Sequence, residues 1–400
     1  MLLIAAPGQG AQTPGFLIPW LEVPGVADRL GSWSDLAGCD LIKYGTTADA
    51  DEIRDTAIAQ PLLVAAAIAA ADLLLGGLDA AGQLTGAAAG HSVGELAAGA
   101  IAGALTPEDA MRLVKVRGED MAQAAEAEPS GMTAVLGGDE DTVLAAIEAS
   151  GLTAANVNGA GQIVAAGSTA RLEAFAANPP AGARLRPLPV AGAFHTSYMA
   201  PAVDALRTAA ASVAVSDPAL PLLSNADGAV VRTGADWLER IVAQVSRPVR
   251  WDKCMQQMSR LGVTALIELP PAGTLTGLAR RALPGVQLIA LKDPAGLESA
   301  HALIAEHSHS DGHIDSHAPE WRLLVAPLAG VFRAGQERSA VTTPGAAVGS
   351  GSAIGQVETR GGSHAVMPAF PATIIEWLVE DGDPVSAGQP LVRLQPEGIE

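Results

Sequence analysis

The chain has 400 residues, which is enough for two or three folding units with a large hydrophobic core. Hydrophobic residues make up 49% and charged residues 17% of the sequence, and this balance excludes an intrinsically disordered protein. The formal net charge of −19 argues against nucleic acid and against an anionic membrane surface as binding partners.

The first part of the chain alternates short apolar runs with alanine-rich helical runs, which is the pattern of a layered α/β fold. One helix is predicted to have Thr106 as its N-cap, because a proline and two acidic residues follow in its first turn. The predicted strands cover 1–6 and 86–90, and the predicted helices cover 60–76, 93–105 and 106–126.

The most hydrophobic stretch of the chain is 61–75. It is shorter than the ~20 residues that span a bilayer, and Asp72 interrupts it, so a buried core helix is predicted instead. The N-terminal residues lack the basic segment of a secretory signal. Cys39 and Cys254 are far apart in sequence and fit reduced thiols, so we expect a cytoplasmic protein.

Residues 131–190 follow a different pattern, with strands and helices in the order βαββαβ. The two central strands are joined by an Asn-Gly-Ala-Gly turn, which is typical of a hairpin. This order predicts a ferredoxin-like subdomain at about 128–190, inserted into a larger α/β subdomain. The larger subdomain is then expected to gain core strands from 220–225 and 263–269.

A histidine-rich segment separates this region from the C-terminal residues. It is polar and has no apolar period, so a linker is predicted at 306–318. The four histidines in this segment could bind a metal ion. A solvated tether is the simpler interpretation, because no fixed scaffold holds the four side chains.

The C-terminal residues contain an internal repeat. Residues 344–357 align with 381–394 at an offset of 37, and both halves keep a G-x-x-V-x-x-G pattern. An apolar strand with a proline is predicted before each half, at 326–332 and 367–375. Two such strand sets predict a small, flattened β-barrel over 319–400.

The most informative motif is GHSVGE at 90–95, a G-x-S-x-G nucleophile elbow between a predicted strand and a predicted helix. Ser92 is expected on a tight turn, with its hydroxyl exposed at the helix N-terminus. Gly90 and Gly94 fit this turn, because a side chain at either position would crowd it. The motif alone is only moderately specific in a chain so rich in alanine and glycine.

Acyl transfer or hydrolysis by Ser92 requires a base and an oxyanion hole. His195 is the candidate base, because it lies in a glycine-flanked loop between the predicted subdomains; a buried structural histidine is the alternative. Gln9 lies in a glycine-rich loop directly after the first strand, and this loop could supply half of an oxyanion hole. The backbone N–H of Val93 could supply the other half. An ordinary turn is the alternative for the Gln9 loop.

Arg117 is a cation on a helix that is otherwise rich in alanine, leucine and valine. A solvated arginine is the ordinary interpretation of such a residue. Its planar guanidinium could instead bind a substrate carboxylate through two parallel hydrogen bonds. The residue by itself leaves both interpretations open.

The motifs occur in an order that resembles the malonyl-CoA:acyl carrier protein transacylases of bacterial type II fatty acid and polyketide systems. The resemblance covers about residues 1–305 and implies an α/β-hydrolase-like large subdomain. The motifs that carry it are PGQGAQ (7–12), QPLL (60–63), GHSVGE (90–95), VRG (116–118), NVNGAGQIVAAG (156–167), GAFHT (192–196), QVSRPVRW (244–251) and PAGTLTGL (271–278).

The resemblance implies a role for each candidate residue. Ser92 would attack the thioester of malonyl-CoA with His195 as general base, and acyl carrier protein would then accept the malonyl group on its phosphopantetheine thiol. Gln9 and the N–H of Val93 would form the oxyanion hole. Arg117 would bind the free malonyl carboxylate. The implied reaction needs no metal and no bound cofactor.

Three further assignments depend on the resemblance or on charge alone. The main-chain carbonyl of Gln244 would orient the base, in place of the acid of a Ser-His-Asp triad. Phe194 matches the pattern of malonyl-selective acyltransferases, so selectivity against the bulkier methylmalonyl group is implied. Arg184 and Arg186 are expected on the surface that meets the carrier protein, because they are basic residues in an acidic protein.

Other functions stay open at this point. A transacylase for another acyl group and a thioesterase-like hydrolase are alternatives within enzymes, and Arg117 and Phe194 argue against both. A non-catalytic scaffold is an alternative from a different class. The candidate residues of the first 305 positions argue against a scaffold.

Residues 319–400 resemble the biotin carboxyl carrier domain of acetyl-CoA carboxylase, in APLAGVFRA (326–334) and WLVEDGDPVSAGQPLVRL (377–394). Those proteins place the modified lysine on a hairpin between the halves, within Glu-Ala-Met-Lys-Met. Gly361 stands at that position here, and no lysine follows Lys292, so neither biotin nor a lipoyl group can be attached. The resemblance implies either a module that docks on acetyl-CoA carboxylase subunits or a fusion remnant.

Overall fold

The chain divides into two compact units, Met1–Gly312 and His313–Glu400. The division falls within the predicted linker, of which 311–318 lies outside the described residues. The computed structural model describes residues 1–190, 192–310, 322–335, 345–359 and 361–396.

Helices of the first unit vary from one turn to almost six turns in length. The long helices carry the apolar, alanine-rich runs of the sequence. The α-helices of the first unit, in the described residues, are α1 (Ile18–Leu21), α2 (Val26–Ala37), α3 (Leu41–Thr46), α4 (Thr56–Leu75), α5 (Ala81–Leu84), α6 (Gly94–Ile101), α7 (Pro107–Ala127), α8 (Glu140–Ala149), α9 (Thr169–Ala177), α10 (Ala200–Ala210), α11 (Gly234–Gln244), α12 (Trp251–Arg260), α13 (Thr274–Ala282) and α14 (Leu297–Ser310).

Strands of the first unit form two sheets. They are β1 (Leu2–Ala6), β2 (Ala87–Gly90), β3 (Ser130–Gly137), β4 (Thr153–Gly159), β5 (Gln162–Ser168), β6 (Ala183–Pro187), β7 (Leu222–Leu223), β8 (Val230–Val231), β9 (Val249–Arg250), β10 (Ala265–Glu268) and β11 (Gln287–Ala290). The larger sheet has the order β11-β10-β1-β2-β7-β8, and its strands are parallel except for the β7–β8 pair.

Strand β1 lies at the centre of the larger sheet, and all five of its residues are buried. Leu2 and Ile4 belong to one hydrophobic cluster, whereas Leu3 and Ala5 belong to another. Because alternate side chains of a strand point to opposite faces, both faces of the sheet are covered. The first unit therefore has the predicted α/β fold, with its two main cores on either side of the sheet.

Helix α4 is the buried core helix that the apolar run predicts. It begins at Thr56, four residues before the predicted start, because the Asp55 carboxylate accepts the N–H of Ala57 and caps the helix there. Its length and composition would suffice to cross a membrane. However, 83% of its most apolar window is buried inside the fold, so the helix packs as core.

The smaller sheet has the order β6-β3-β5-β4-β9. Its first four strands and helices α8 and α9 follow one another in the order βαββαβ, and these four strands pair antiparallel. The fifth strand, β9, comes from outside 128–190 and runs parallel to β4, with Val249 opposite Asn156. The strand predicted at 185–190 ends at Pro187, followed by Pro189, since proline lacks the N–H that a sheet requires.

The described residues of the second unit form two four-stranded antiparallel sheets. The strands are β12 (Arg322–Val325), β13 (Gly330–Ala334), β14 (Ala347–Val348), β15 (Gly355–Thr359), β16 (Gly362–Val366), β17 (Ala372–Trp377), β18 (Pro384–Val385) and β19 (Pro390–Pro396). The sheet orders are β12-β19-β17-β14 and β16-β15-β13-β18. Phe332, Val357, Ile374 and Leu391 belong to the hydrophobic core that the two sheets share.

Three elements predicted for the second half of the chain, two strands and the linker, were wrong at their boundaries. The strands predicted at 326–332 and 367–375 begin later, at Gly330 and Ala372, because prolines interrupt the preceding residues. Helix α14 continues to Ser310, so the linker predicted from 306 does not begin at that residue. His307 is 7% exposed and its Nδ1 lies 3.0 Å from the carbonyl oxygen of Leu303, which places it on the packed face of this helix.

Candidate active site

Ser92 lies on the turn between β2 and α6, with its backbone in the left-handed region at φ 53°. A Cβ on Gly90 would lie 2.0 Å from the backbone of Gly94, and a Cβ on Gly94 would lie 2.3 Å from the carbonyl oxygen of Ala6. Neither position can therefore carry a side chain. These close approaches explain why the elbow needs both glycines, and why Ser92 is held in a strained conformation.

Ser92 and His195 contact each other directly. The Oγ of Ser92 lies 2.7 Å from Nε2 of His195, and Nδ1 of His195 lies 2.9 Å from the carbonyl oxygen of Gln244. A carbonyl oxygen can only accept, so Nδ1 carries the proton and Nε2 is left free to accept the serine hydroxyl. This is the arrangement of a nucleophile, its base and a group that orients the base.

The environment of His195 favours the neutral imidazole. The residue is 3% exposed, and burial, followed by the positive charge of Arg117, lowers its pKa to about 3. A neutral ring at physiological pH can accept a proton from the serine hydroxyl. His195 also has a left-handed backbone, at φ 61°.

Arg117 is a buried cation, so the interpretation as a solvated arginine was wrong. Only 1% of the residue is exposed, because α7 packs on α4. Its guanidinium donates to Oε1 of Gln60 at 2.6 Å, to Oε1 of Gln244 at 2.8 Å and to Oγ of Ser92 at 3.3 Å. Burial lowers its pKa to about 10, so the group is charged at neutral pH.

The charge of Arg117 has no direct counterion in the part of the chain that the structure describes. In the described residues, no carboxylate oxygen lies within 4.0 Å of its guanidinium, whose hydrogen-bond partners are neutral oxygens. A buried cation with neutral partners retains much of its attraction for an anion. The guanidinium can therefore bind a carboxylate that arrives beside the Ser92 hydroxyl.

Both subdomains line a cavity of about 220 Å³ at this site. It is bounded by Gly8, Gln9, Gly10, Gln60, His91, Ser92, Met121, Met132, Asn156, Asn158, Gln162, Val164, Leu188, Val190, Phe194, His195, Thr274, Leu275 and Leu278. Phe194 is 5% exposed and forms part of the apolar wall. The cavity can hold a small acyl group next to Ser92.

Gln9 lines the cavity together with Ser92, and Val93 directly follows Ser92 in the chain. Gln9 follows β1, and its Nε2 donates to Oγ1 of Thr56 at 3.2 Å, which fixes the loop. Val93 is the N-cap of α6, and in the described residues neither its N–H nor that of Gln9 donates to a protein acceptor. Backbone donors that have no protein acceptor are what an oxyanion hole requires.

A family model described as an acyl transferase domain matches residues 27–299. The malonyl CoA-acyl carrier protein transacylase of Mycobacterium tuberculosis (strain ATCC 25618 / H37Rv) is 52% identical over 298 residues, which cover 74% of this chain and 98% of that protein. The chain belongs to the acyl transferase family, among the malonyl CoA-acyl carrier protein transacylases.

Solved structures agree with this membership. The crystal structure of MCAT from Mycobacterium tuberculosis matches the acyltransferase with a TM-score of 0.73 and 50% identity, covering 75% of this chain and 99% of that one. A malonyl-transacylase in complex with a type II PKS acyl-carrier protein matches with a TM-score of 0.70 and 29% identity, covering 76% and 99%. The residues matched by the family model lie within the first unit of the acyltransferase.

Several buried polar residues of this acyltransferase site were not predicted from the sequence. Gln60 binds Arg117, and Asn225 accepts the N–H of Ser92 at 2.7 Å. Glu95 accepts the N–H of Asn225 at 2.8 Å, and His91 contacts Asn158 at 2.9 Å. A polar residue within an apolar, alanine-rich helix was the available signal for Gln60 and Glu95, since such a residue is buried only when it has partners.

The two arginines predicted for the carrier surface do not line the acyltransferase cavity. Arg184 and Arg186 are exposed on β6, the edge strand of the smaller sheet, and lie two residues apart on one face. Arg184 borders a separate groove of about 720 Å³ beside α9. Met132 and Leu188 line both this groove and the cavity, so the two are adjacent.

Proposed function

We propose that this acyltransferase moves the malonyl group from malonyl-CoA to the phosphopantetheine thiol of an acyl carrier protein, through a malonyl ester on Ser92. The observation that carries the proposal is the contact of Ser92 with both His195 and Arg117. A base next to the hydroxyl supports ester formation, and a buried cation beside it supports an acyl group with a free carboxylate. The names of the relatives support the same substrates.

The reaction is proposed to proceed in two symmetrical halves. In the first, Nε2 of His195 takes the proton of Ser92 as Oγ attacks the thioester carbonyl, and the resulting oxyanion faces the N–H groups of Gln9 and Val93. Collapse of the adduct breaks the carbon–sulfur bond, and His195 returns the proton to the sulfur of the departing CoA. In the second half, the carrier thiol gives its proton to His195 and attacks the ester carbonyl; the carbon–oxygen bond to Ser92 then breaks, and His195 returns the proton to Oγ of Ser92.

Arg117 is proposed to bind the malonyl carboxylate during both halves. That carboxylate is separated from the thioester carbonyl by one methylene carbon, so it must bind close to the nucleophile. The guanidinium lies 3.3 Å from the Ser92 hydroxyl and has no carboxylate partner within the described residues. Its planar donors match the two oxygens of a carboxylate.

The test is the covalent intermediate. The purified protein is incubated with malonyl-CoA or with acetyl-CoA, its intact mass is measured, and the modified residue is located by peptide mapping. We expect a malonyl adduct on Ser92 and little acetyl adduct. Release of CoA without an adduct would identify a hydrolase instead, and neither adduct nor release would identify a scaffold.

Phe194 is proposed to set the selectivity for malonyl over methylmalonyl. The side chain is buried in the cavity wall, where the extra methyl of methylmalonyl would collide with it. Phe194→Ser is expected to raise the kcat/KM for methylmalonyl-CoA relative to malonyl-CoA by about 10-fold or more, the discrimination typical of one carbon in a packed pocket. Phe194→Leu, which keeps a large side chain, is the control, and an unchanged ratio in Phe194→Ser would disprove the assignment.

Arg184 and Arg186 are proposed to meet the carrier protein. Both are exposed and are positive in a chain of net charge −19, and Arg184 lines the groove that adjoins the cavity. Reversing both charges, by Arg184→Glu with Arg186→Glu, should raise the KM for an acidic carrier about 10-fold at low salt and leave malonyl-CoA loading unchanged. Arg232→Glu with Arg260→Glu, which changes the charge by the same amount at two other exposed positions, is the matched control. Equal effects of both variants would refute this docking surface.

For the second unit we propose a flattened barrel of the biotinyl type over 319–400, without an attachment site. The β15–β16 hairpin carries Gly361 in its turn, where the carrier domains hold lysine, and the internal repeat places β14 and β18 at equivalent positions 37 residues apart. Such a domain can dock on other proteins through its fold but cannot carry cargo. The two free thiols of the chain, Cys39 and Cys254, fit the cytoplasm proposed for this enzyme.

The docking partner proposed for this domain is acetyl-CoA carboxylase, which would place the acyltransferase where malonyl-CoA is made. Carboxylase subunits should be retained on the immobilised full chain and lost from the chain truncated after residue 312. The truncated chain should still form the malonyl adduct, because the cavity lies within the first unit. Equal retention by both chains would leave the second unit as a fusion remnant.

A further inference from the structure

Glu95 is a buried carboxylate that the proposed reaction does not use. It is 1% exposed and lies in the first turn of α6, three residues after Ser92. Its Oε1 accepts the N–H of Asn225 at 2.8 Å, and its Oε2 accepts a hydrogen bond from Nε2 of Gln244. Burial raises its pKa, but both of its oxygens accept N–H donors in the described residues, and these contacts, together with the charge of Arg117, favour the carboxylate.

The amide of Gln244 has a single satisfactory orientation. Its Nε2 donates to Glu95 and to the carbonyl oxygen of Ser92 at 3.1 Å, while its Oε1 accepts from Arg117 at 2.8 Å. A carboxylate accepts and a guanidinium only donates, so a flipped amide would face two acceptors with its oxygen and a donor with its NH₂. Glu95 and Arg117 together therefore determine which way the amide points.

Asn225 connects Glu95 to the elbow itself. Its Oδ1 accepts the N–H of Ser92 at 2.7 Å, and its Nδ2 donates to the carbonyl oxygen of Gly90 at 2.8 Å. The two hydrogen bonds bridge the turn that holds Ser92 at its left-handed φ. Glu95 holds the main chain of Asn225, so this carboxylate supports both the elbow and the Gln244 amide.

The arrangement also keeps Glu95 away from the guanidinium. The negative charge of Glu95 opposes the effect of burial on the pKa of Arg117, and so helps it to remain protonated. The Gln244 amide nevertheless lies between the two groups, and in the described residues they form no ion pair within 4.0 Å. A direct ion pair would compete with an incoming carboxylate. The amide separates the two groups and leaves the guanidinium free to bind.

We propose that Glu95 is a positioning residue for acyl selectivity, which acts through the Gln244 amide to hold Arg117 beside Ser92. The proposal rests on the proposed function, because it concerns the group that binds the malonyl carboxylate. Glu95 touches no substrate in this scheme. Its effect should therefore be visible in the KM for malonyl-CoA and in the ratio of malonyl to acetyl loading.

The experiment compares Glu95→Gln, Gln244→Ala and the double variant in the full chain. Gln244→Ala removes the amide and keeps the main-chain carbonyl that His195 uses. Loading of Ser92 is measured by rapid quenching and intact mass, with malonyl-CoA and with acetyl-CoA. We expect Glu95→Gln to lower malonyl kcat/KM by about 10- to 100-fold, chiefly through KM, as for the loss of one hydrogen bond to a charged group.

Acetyl loading should fall by less than about threefold in the same variant, because the glutamine carbonyl can still accept the N–H of Asn225 and acetyl has no carboxylate for Arg117. In the Gln244→Ala background, adding Glu95→Gln should change malonyl loading by less than about twofold, because two residues that act through one contact are not additive. Equal losses for both acyl groups would overturn the proposal, and so would additive losses in the double variant.

Thermal unfolding of each variant shows whether it is folded. If Glu95→Gln does not fold, Glu95→Asp is measured in its place. Aspartate keeps the charge but is shorter by one methylene and does not reach Gln244. The ratio of malonyl to acetyl loading in this variant then tests the proposal in the same way. Failure of the proposed function is seen separately, since the wild-type protein would then form no malonyl adduct. A wild-type adduct with an unchanged ratio in the variants would overturn only the role of Glu95.

Discussion

Replacing Ser92 with alanine should lower malonyl transfer to the carrier protein by at least about 10⁴-fold and abolish the malonyl adduct. The reason is that Ser92 supplies the hydroxyl 2.7 Å from Nε2 of His195, so without it the base has no nucleophile to activate. Nucleophile removal in serine enzymes has an effect of this size or larger. The measurement is the transfer rate with saturating malonyl-CoA and carrier, together with intact mass.

The control for this prediction is Ser150→Ala. Ser150 follows α8, and its hydroxyl donates to the carbonyl oxygen of Ala146, away from the cavity. That variant should transfer malonyl at the wild-type rate. A malonyl adduct of undiminished yield on Ser92→Ala would show that another residue is the nucleophile.

Replacing Arg117 with alanine should lower kcat/KM for malonyl-CoA by about 10³-fold and lower acetyl loading by less than about 10-fold. The guanidinium is buried, charged and free of a protein carboxylate within the described residues, so its interaction with the malonyl carboxylate is poorly screened. Truncating one partner of a desolvated charge pair costs about 2–5 kcal/mol. Competition between malonyl-CoA and acetyl-CoA for Ser92, read by mass, measures both rates at once.

Arg112→Ala is the matched control for Arg117. Arg112 lies on the same helix, but it is exposed and pairs with Asp109 at 2.6 Å. Its removal should leave both acyl groups unaffected, because exposed ion pairs contribute little. If Arg117→Ala reduced malonyl and acetyl loading by the same factor, Arg117 would serve the structure of the site and would not select the acyl group.

Local sequence was sufficient for the elements that depend on their own residues. The glycines of the elbow predicted a strand-to-helix turn at Ser92, because only a small residue allows the backbones to approach so closely. Thr106 was predicted as an N-cap, and its side chain accepts the N–H of Asp109 at 3.1 Å. The approach of Gly90 to Gly94 and the cap at Thr106 both join residues only a few positions apart.

Boundaries that depend on distant contacts were less predictable. Helix α14 extends past the predicted start of the linker, because Leu303 and His307 pack on one face of it. The polar composition of 307–317 gave no sign of that packing. The strand at Val249–Arg250, which joins the smaller sheet from outside its predicted limits, is too short to carry a periodic pattern.

Sequence by itself determined the α/β class of the first unit, the elbow at Ser92, the absence of lysine from the C-terminal domain and the family of the chain. Only the tertiary structure decided that Arg117 is buried and that the Gln244 amide lies between it and Glu95. The physical reason is that burial and hydrogen-bond partners arise between segments far apart in the chain. Ser92 and Gln244 are separated by 152 positions, and no local pattern records their contact.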